Sequence, residues 1–404
     1  MAEGFVGGLR VCAPEPTLHL SALARLISET FWGGTEESTL ATVGDALRPG
    51  GSYNWQGSRI GCMDDGAIAT HAGLIDFRLR VGSQAQLHAA GLCAIFTVEA
   101  YRRRGWMRRT MNDLLTCLSP AGYDISLLYG IDDFYHHFDY RRAWPEHRFE
   151  VAIADLPAVR SVSLEGFEEQ YPEAVVELSN RHQHARTGTV VREGGWFTKL
   201  VEDRGHLWRN AVGDVIGYVL TRLNDEQLLV TDHAGNADEV LGVIRQLMDS
   251  TDRQKVRLPS ISPRCELAQR LRRMNSREIV QHQHNGGALV RLVNLHATMQ
   301  KLIPDLEARL RESAWSDWNG HLRLDNDEQS VDLQIAAGRV AVAASTDSTP
   351  HEVNGPGLAQ LVIGTDAVGS LVEEGGLAVR GDGGTLAEVM FPVLHPSMPE
   401  PDHF

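Results

Sequence analysis

The sequence predicts an α/β protein of two to three domains, and three observations predict it. The chain has 404 residues, about two to three domains' worth at roughly 100–200 residues each. Hydrophobic residues make up 43% and charged residues 23%, a balance that lets a chain bury a core and argues against global disorder. In the first third of the chain, strand-like runs lead through a glycine-bearing loop into an amphipathic helix and another strand, and a similar order recurs in the middle third.

The first segment, residues 1–148, opens with a helix signature. Leu18, Leu23, Leu26, Ile27 and Phe31 recur at helical spacing, Thr17 stands at a capping position, and Gly33 and Gly34 end the run. Strands are expected at 59–62, 67–72, 73–80 and 92–98. The basic stretch 101–105 then leads into a helix whose Met107, Met111, Leu114, Leu115 and Leu118 share a face. Pro120 and Gly122 end that helix, and 125–129 reads as the next strand. The middle segment, residues 149–285, begins near a composition shift at Leu156 and Pro157. It carries a helix at 175–186, paired strands at 212–221 and 227–233 with Asn224 and Asp225 at the turn, and an amphipathic helix at 239–248. The polar, glycine-bearing stretch 281–287 marks its end. The last segment, residues 286–404, has a helix at 295–312, alternating strands at 320–324, 330–336 and 339–344, and a helical run near 357–363. It closes on Pro392, Pro396, Pro399 and Pro401, an extended and irregular tail.

Charge narrows the function classes. Thirty-eight Lys and Arg stand against 53 Asp and Glu, a formal net charge of −15. Nucleic acid and anionic membranes both select for excess cationic side chains, so neither is an expected partner. A cationic substrate is. The longest apolar stretch, residues 91–98, is far below the roughly 20 residues that span a bilayer. No basic region precedes an apolar run in residues 1–10, so a cytoplasmic location is expected. The five cysteines are widely spaced and form no C-x-x-C pair, so they read as core thiols in a reducing compartment. His136 and His137, His182 and His184, and His282 and His284 lack a third ligand at suitable spacing, and no metal is expected.

The strongest local signal is Phe96, Thr97 and Val98 leading into Arg102, Arg103, Arg104, Gly105 and Trp106 at the start of a helix. Phosphate binding at a helix N-terminus needs free backbone N–H groups and close approach of the backbone. The loop and Gly105 supply both, and the helix dipole adds a favourable field. With Arg108 and Arg109, five positive charges gather in an acidic chain, which suits a ligand with several phosphates. On these residues alone, a solvated basic helix start is an equal reading. Tyr135, among Phe134, Phe138 and Tyr140, reads on the same footing as a core aromatic, and Phe404 as a frayed end.

The R-x-x-G pattern between strand and helix, here Arg102 to Gly105, resembles the acyl-CoA pyrophosphate loop of the GCN5-related N-acetyltransferases (GNAT). Met107 stands where many members carry Gly or Ala. The run Phe134, Tyr135, His136, His137, Phe138, Asp139, Tyr140 resembles the F/I-Y-x-x-F-G-Y segment of acetyltransferases of the enhanced intracellular survival family, with Asp139 in the place of Gly. Residues 291–295 resemble that family's passage into its final domain, and the chain end at His403 and Phe404 resembles its closing Phe. The resemblance implies two tandem GNAT-like domains, mixed sheets flanked by helices, at 1–148 and 149–285. A sterol-carrier-protein-like α+β domain would follow at 286–404. It implies acetyl-CoA as cosubstrate, its pantetheine arm along the backbone of Phe96, Thr97 and Val98 and its pyrophosphate at Arg102, Arg103, Arg104, Gly105 and Trp106. It implies Tyr135 as general acid toward the CoA sulfur and the carboxylate of Phe404 as general base. The phenol's usual pKa near 10 lies above a thiol near 8.5, so that donation is expected to be mildly uphill. The acceptor would be a primary amine of a cationic small molecule, aminoglycoside- or polyamine-like, or a peptide lysine, and the assembly a homo-oligomer, hexameric as the family tends to be. Trp32, Glu29, Glu36 and Glu37 stand where this fold places substrate-lining residues. Trp196, Phe197, Trp315 and Trp318 read as packing. The competing reading is a non-catalytic CoA- or lipid-binding protein using the last domain.

Overall fold

The computed structural model describes residues 8–158, 162–167, 172–193, 203–224, 226–344 and 350–404; Trp196, Phe197 and Asp225 lie outside the described residues. Three sheets organise it. The first runs, in spatial order, Arg10–Cys12, Arg59–Cys62, Ile68–Val81, Ala85–Thr97, Ile125–Ile131, Asn285–Leu292 and Arg141–Trp144. Ala85–Thr97 and Ile125–Ile131 pair in parallel. A parallel pair needs a crossover, and the helix Trp106–Leu118 supplies it. Its Met111, Leu114 and Leu118 bury against Leu74, Leu92 and Leu128 of the sheet.

Several boundaries differ from expectation. The runs 67–72 and 73–80 form one strand of 14 residues, Ile68–Val81. Gly73 does not break it, because a Cβ there would sit 2.9 Å from the Cys93 carbonyl oxygen, and only glycine permits that approach. The next strand begins at Ala85, well before 92, since pairing with Ile68–Val81 overrides the weak β-propensity of its Ala and Gly residues. The first helix is Pro16–Phe31. Pro16 opens it with Glu15 at the capping position, so Thr17 lies inside.

The second sheet runs Glu165–Phe167, Arg204–Arg209, Val215–Leu223, Leu228–Ala234, Lys255–Leu258, Glu146–Ala152 and Ser276–Gln281. Its parallel pair, Leu228–Ala234 with Lys255–Leu258, holds the same central rank as in the first sheet. The crossover helix is Ala237–Thr251. The two sheets therefore repeat one topology, of which the sequence shows only similar element order.

Asn285–Leu292, expected to open the last segment, is a strand of the first sheet, pairing with both Ile125–Ile131 and Arg141–Trp144. Its polar start and Gly286–Gly287 resemble a linker. Leu289 and Val290 nonetheless bury on opposite faces, as a central strand must. The third sheet runs Arg339–Ala344, Ser330–Ala336, Gly320–Asp325, His351–Asn354 and Ala378–Arg380. The helix Leu295–Arg311 joins it to the first. Its Leu295, Met299, Leu302, Leu306 and Leu310 share one core with Phe77, Leu87 and Leu127 of the first sheet and Leu322 and Leu333 of the third, and Trp315 and Trp318 pack partly buried against it. Among the described residues, no helix is long and apolar enough to cross a membrane.

Candidate active site

The site begins where the central parallel pair of the first sheet separates. Ala89 to Leu92 pair with Ile125 to Leu128. Both strands continue, to Thr97 and Ile131, without pairing further. A bulge drives the separation. Ala94 and Ile95 together oppose Ala72, and Ala94 takes a positive φ of 47°. Beyond it Phe96 and Thr97 pair with His71 and Thr70, and the Val98 amide donates to Ala69. Their other edge faces the opened gap, where an extended ligand arm can add as a strand. A buried pair props the bulge. His71 Nδ1 donates to the Ala94 carbonyl at 2.7 Å, which leaves Nε2 to accept from the Tyr53 hydroxyl at 2.8 Å. Burial lowers the His71 pKa to about 4, so the ring stays neutral and this tautomer holds. Neither residue was predicted for the site.

The glycine-bearing loop follows. Arg103 and Gly105 adopt left-handed backbone, φ 63° and 73°. Gly105 is the N-cap of Trp106–Leu118 and brings no side chain to the first turn, so the leading amides point out of the helix uncapped. Arg102, Arg103 and Arg104 are exposed. Arg102 Nε donates to the Thr97 carbonyl at 3.3 Å. Arg104 stacks over Trp106 at 5.0 Å and Tyr101 at 5.8 Å. The Trp106 ring itself buries with Leu9 and Ala69, so it offers a ligand its backbone rather than its indole. The equivalent helix of the second unit is closed to anions. Asn236 caps it by accepting from the Asp238 and Glu239 amides, and Asp238 and Glu239 place two carboxylates in its first turn. The sequence carried that signal, an Asn ahead of two acidic residues.

Tyr135 and Phe404 flank the opened gap from opposite faces of the sheet. Adjacent residues of the strand Ile125–Ile131 receive them, and adjacent strand positions face opposite ways. Tyr135 packs where a Cβ of Gly130 would lie, in the core under Trp106–Leu118. Phe404 lies against Tyr129, ring centroids 5.6 Å apart, and against Phe77 at 5.3 Å. A Cβ on Gly91 would meet its ring at 2.9 Å. Burial pushes the Tyr135 hydroxyl up to about 12, so proton donation to a thiolate is steeper than the free phenol predicts. Asp139, in the place of a family Gly, takes the left-handed conformation at φ 61°, which Asp tolerates.

The tail that carries Phe404 is ordered by polar contacts rather than frayed. His403 stacks on Tyr129 at 4.4 Å and bonds the Met398 carbonyl at 3.2 Å. Asp402 pairs with Arg192, and Glu400 with Arg222. Beside Tyr129 and His403 a cavity of about 310 Å³ opens between the first two units, with Glu146, Glu400 and Arg257 in its wall. At the other side of the gap, Phe31 and Trp32 are half or more exposed, and Phe31 contacts Phe96 at 6.5 Å. Glu29 pairs with Arg25, and Glu36 and Glu37 start the helix Glu37–Ala46. Among the described residues, no group of three or more His, Cys, Asp or Glu is placed to hold a metal.

Residues 24–143 match the family model described as an acetyltransferase (GNAT) domain. Fold and match together define an acyltransferase, with the first unit as its GNAT domain, and GNAT domains draw on acetyl-CoA. Solved structures agree over nearly the whole length. A GCN5-related N-acetyltransferase from Kribbella flavida is 19% identical, with a TM-score of 0.75 and 98% of each chain covered. One from Anabaena variabilis is 16% identical at a TM-score of 0.77, covering 98% of this chain and 100% of that one. Eis1 from Mycobacterium abscessus is 14% identical at 0.69, again covering 98% and 100%. At these identities the likeness is one of fold. No curated protein matches.

Proposed function

We propose that the protein is an acetyl-CoA-dependent N-acetyltransferase acting on a primary amine of a cationic small molecule or a peptide lysine. The observation that carries the reading is the opened strand pair, with an uncapped, arginine-flanked helix start beside it and Tyr135 and Phe404 on its two faces. Acetyl-CoA supplies an acyl thioester. The Phe96 to Val98 edge aligns the pantetheine arm, and the amides from Trp106 onward, with Arg102 and Arg103, hold the pyrophosphate. Arg104 acts from behind, fixing the loop through Tyr101 and Trp106. The carboxylate of Phe404 accepts a proton as the amine nitrogen bonds the acyl carbon. Tyr135 donates its hydroxyl hydrogen toward the sulfur as the carbon–sulfur bond breaks.

Direct transfer is favoured over a cysteine-bound intermediate. Cys93, on the acyl-binding strand, is held as a thiol by burial, its pKa pushed up to about 12. The exposed Phe31 and Trp32 offer ring faces to a cation at the gap. The segment expected at 286–404, less the strand Asn285–Leu292 that belongs to the first sheet, is read as the sterol-carrier-like unit. Its main helix buries its apolar face in the core shared with the first sheet, which supports a role as buttress rather than lipid carrier.

The test follows CoA release with a thiol reagent on untagged protein across polyamines, aminoglycosides and lysine peptides. Tyr135→Phe is expected to lower kcat by roughly 10²-fold or more, the usual worth of an acid–base group, with acetyl-CoA binding retained. Equal loss of binding and turnover would make Tyr135 a packing residue and sink its assigned role.

A further inference from the structure

Two residues before Phe404 the tail is locked into the second unit. Arg192 meets both oxygens of Asp402, Nε to Oδ1 at 2.9 Å and Nη2 to Oδ2 at 3.0 Å. Its Nη1 meets Asp232 at 2.7 Å and Ser179 at 2.9 Å. Arg192, Asp232 and Asp402 are at most 4% exposed. Arg80, from the first sheet, adds a second positive charge that acts on Asp402 and donates to Val190 and Asn180. Two arginines thus balance two aspartates. Such a buried cluster is weak as a source of stability, because apolar replacements often do as well; its strength is in specifying one arrangement. Fork-to-fork geometry sharpens that arrangement.

The strand that carries Asp232, Leu228–Ala234, is the second unit's counterpart of the acyl-binding strand Ala85–Thr97. The turn Glu400–Asp402 packs on it. Two residues further, Phe404 lies on Gly91 of Ala85–Thr97 itself. Two residues span at most about 7 Å, so fixing Asp402 leaves Phe404 little slack. The second unit, whose helix start is capped and acidic, has no use for a pyrophosphate.

We propose that the second unit is a clamp for the chain end, with Arg192 a positioning residue that sets Phe404 in the first unit's cleft through Asp402. This rests on the reading in which Phe404 takes part in the reaction. The experiment uses the full untagged chain with Asp402→Asn, the paired variant Arg192→Gln with Asp402→Asn, Arg192→Lys, and a chain lacking Phe404. Thermal melting checks folding; Asp402→Asn leaves Arg192 its ion pair with Asp232, whereas the paired variant also takes that partner from Asp232. Steady-state CoA release gives kcat and the KM for acetyl-CoA, and carboxypeptidase A reports how readily Phe404 is released. The clamp predicts at least a tenfold drop in kcat in the folded Asp402 variants, an unchanged KM for acetyl-CoA, and faster release of Phe404. Arg192→Lys, which keeps charge without the fork, should fall between. Wild-type kcat in a folded variant whose Phe404 is readily cleaved overturns the clamp alone, as does lost kcat with Phe404 still protected. Full activity in the chain lacking Phe404 overturns the underlying mechanism, and the clamp with it.

Discussion

A Cβ at Gly91 would approach Phe404 to 2.9 Å and Phe77 to 2.8 Å. Gly91→Ala is therefore expected to tilt the Phe404 ring without unfolding the strand, whose pairing with Ile75 and Leu127 is backbone only. In the proposed mechanism Phe404 carries the base, and misplacement of a reacting group by about an ångström costs up to roughly 10²-fold, so kcat should drop about 10- to 100-fold with the acetyl-CoA KM unchanged in steady-state kinetics. Tyr135 carries a second residue-scale prediction. Its folded pKa is raised to about 12, so the hydroxyl remains protonated below that pH and is available for the proposed donation. Its titration should add no alkaline limb to the kcat profile up to pH 10. A limb near pH 10 that vanishes in Tyr135→Phe would contradict this. Tyr135 and the arginine run were legible as candidates because motif spacing marks them. Gly91 was not, since a glycine inside an apolar run gives no sign of what packs over it, and Phe404 reaches it from 313 positions away.

At the scale of elements, the two crossover helices decide what each unit can hold. Trp106–Leu118 starts uncapped beside arginines, whereas Ala237–Thr251 starts with its amides taken by Asn236 and two carboxylates alongside. One CoA per chain is the expected stoichiometry by isothermal titration, despite two units of one topology; two would refute the contrast. Arg103→Ala removes an exposed cation and should weaken CoA binding by about tenfold, one charge-assisted contact's worth, less so at high salt. Helices with strong apolar faces were readable to within a few residues, as at Trp106–Leu118 and Leu295–Arg311. Strands rich in Ala and Gly were not. Residues 85–91 and 285–288 owe their strand form to neighbours that the local sequence does not name, and Asn285–Leu292 passed for a domain boundary because its polar glycine start resembles a linker.

For the whole molecule, burial of histidines sets the response to acid. His71 is lowered to about 4, and His182 and His233 to about 3, by burial above all. Their unfolded values lie near 6.5. Between those limits the unfolded chain binds protons that the folded chain refuses, so stability is complete above pH 6.5 and is lost as pH falls toward 4 at His71 and toward 3 at His182 and His233. Each pKa unit is worth about 1.4 kcal/mol, so thermal melts should drop steeply from pH 6.5 to 4.5 and stay flat from 7 to 8; a flat curve below 6.5 would mean the rings are hydrated in solution. The strand exchange sets a second global property. Asn285–Leu292 returns to the first sheet after the whole second unit has been made, and it separates two strands that otherwise have no mutual pairing. A chain ending at residue 148 therefore leaves Ile125–Ile131 and Arg141–Trp144 with open edges and Leu127 and Leu128 uncovered on one side, a state that invites edge-to-edge association. It also lacks the helix Leu295–Arg311 that completes the shared core. The fragment 1–148 is expected to aggregate, and the full chain to melt with its first and third units in one transition. A soluble, monomeric fragment 1–148 with native-like circular dichroism and CoA affinity would show that the returning strand is dispensable and that the units fold apart.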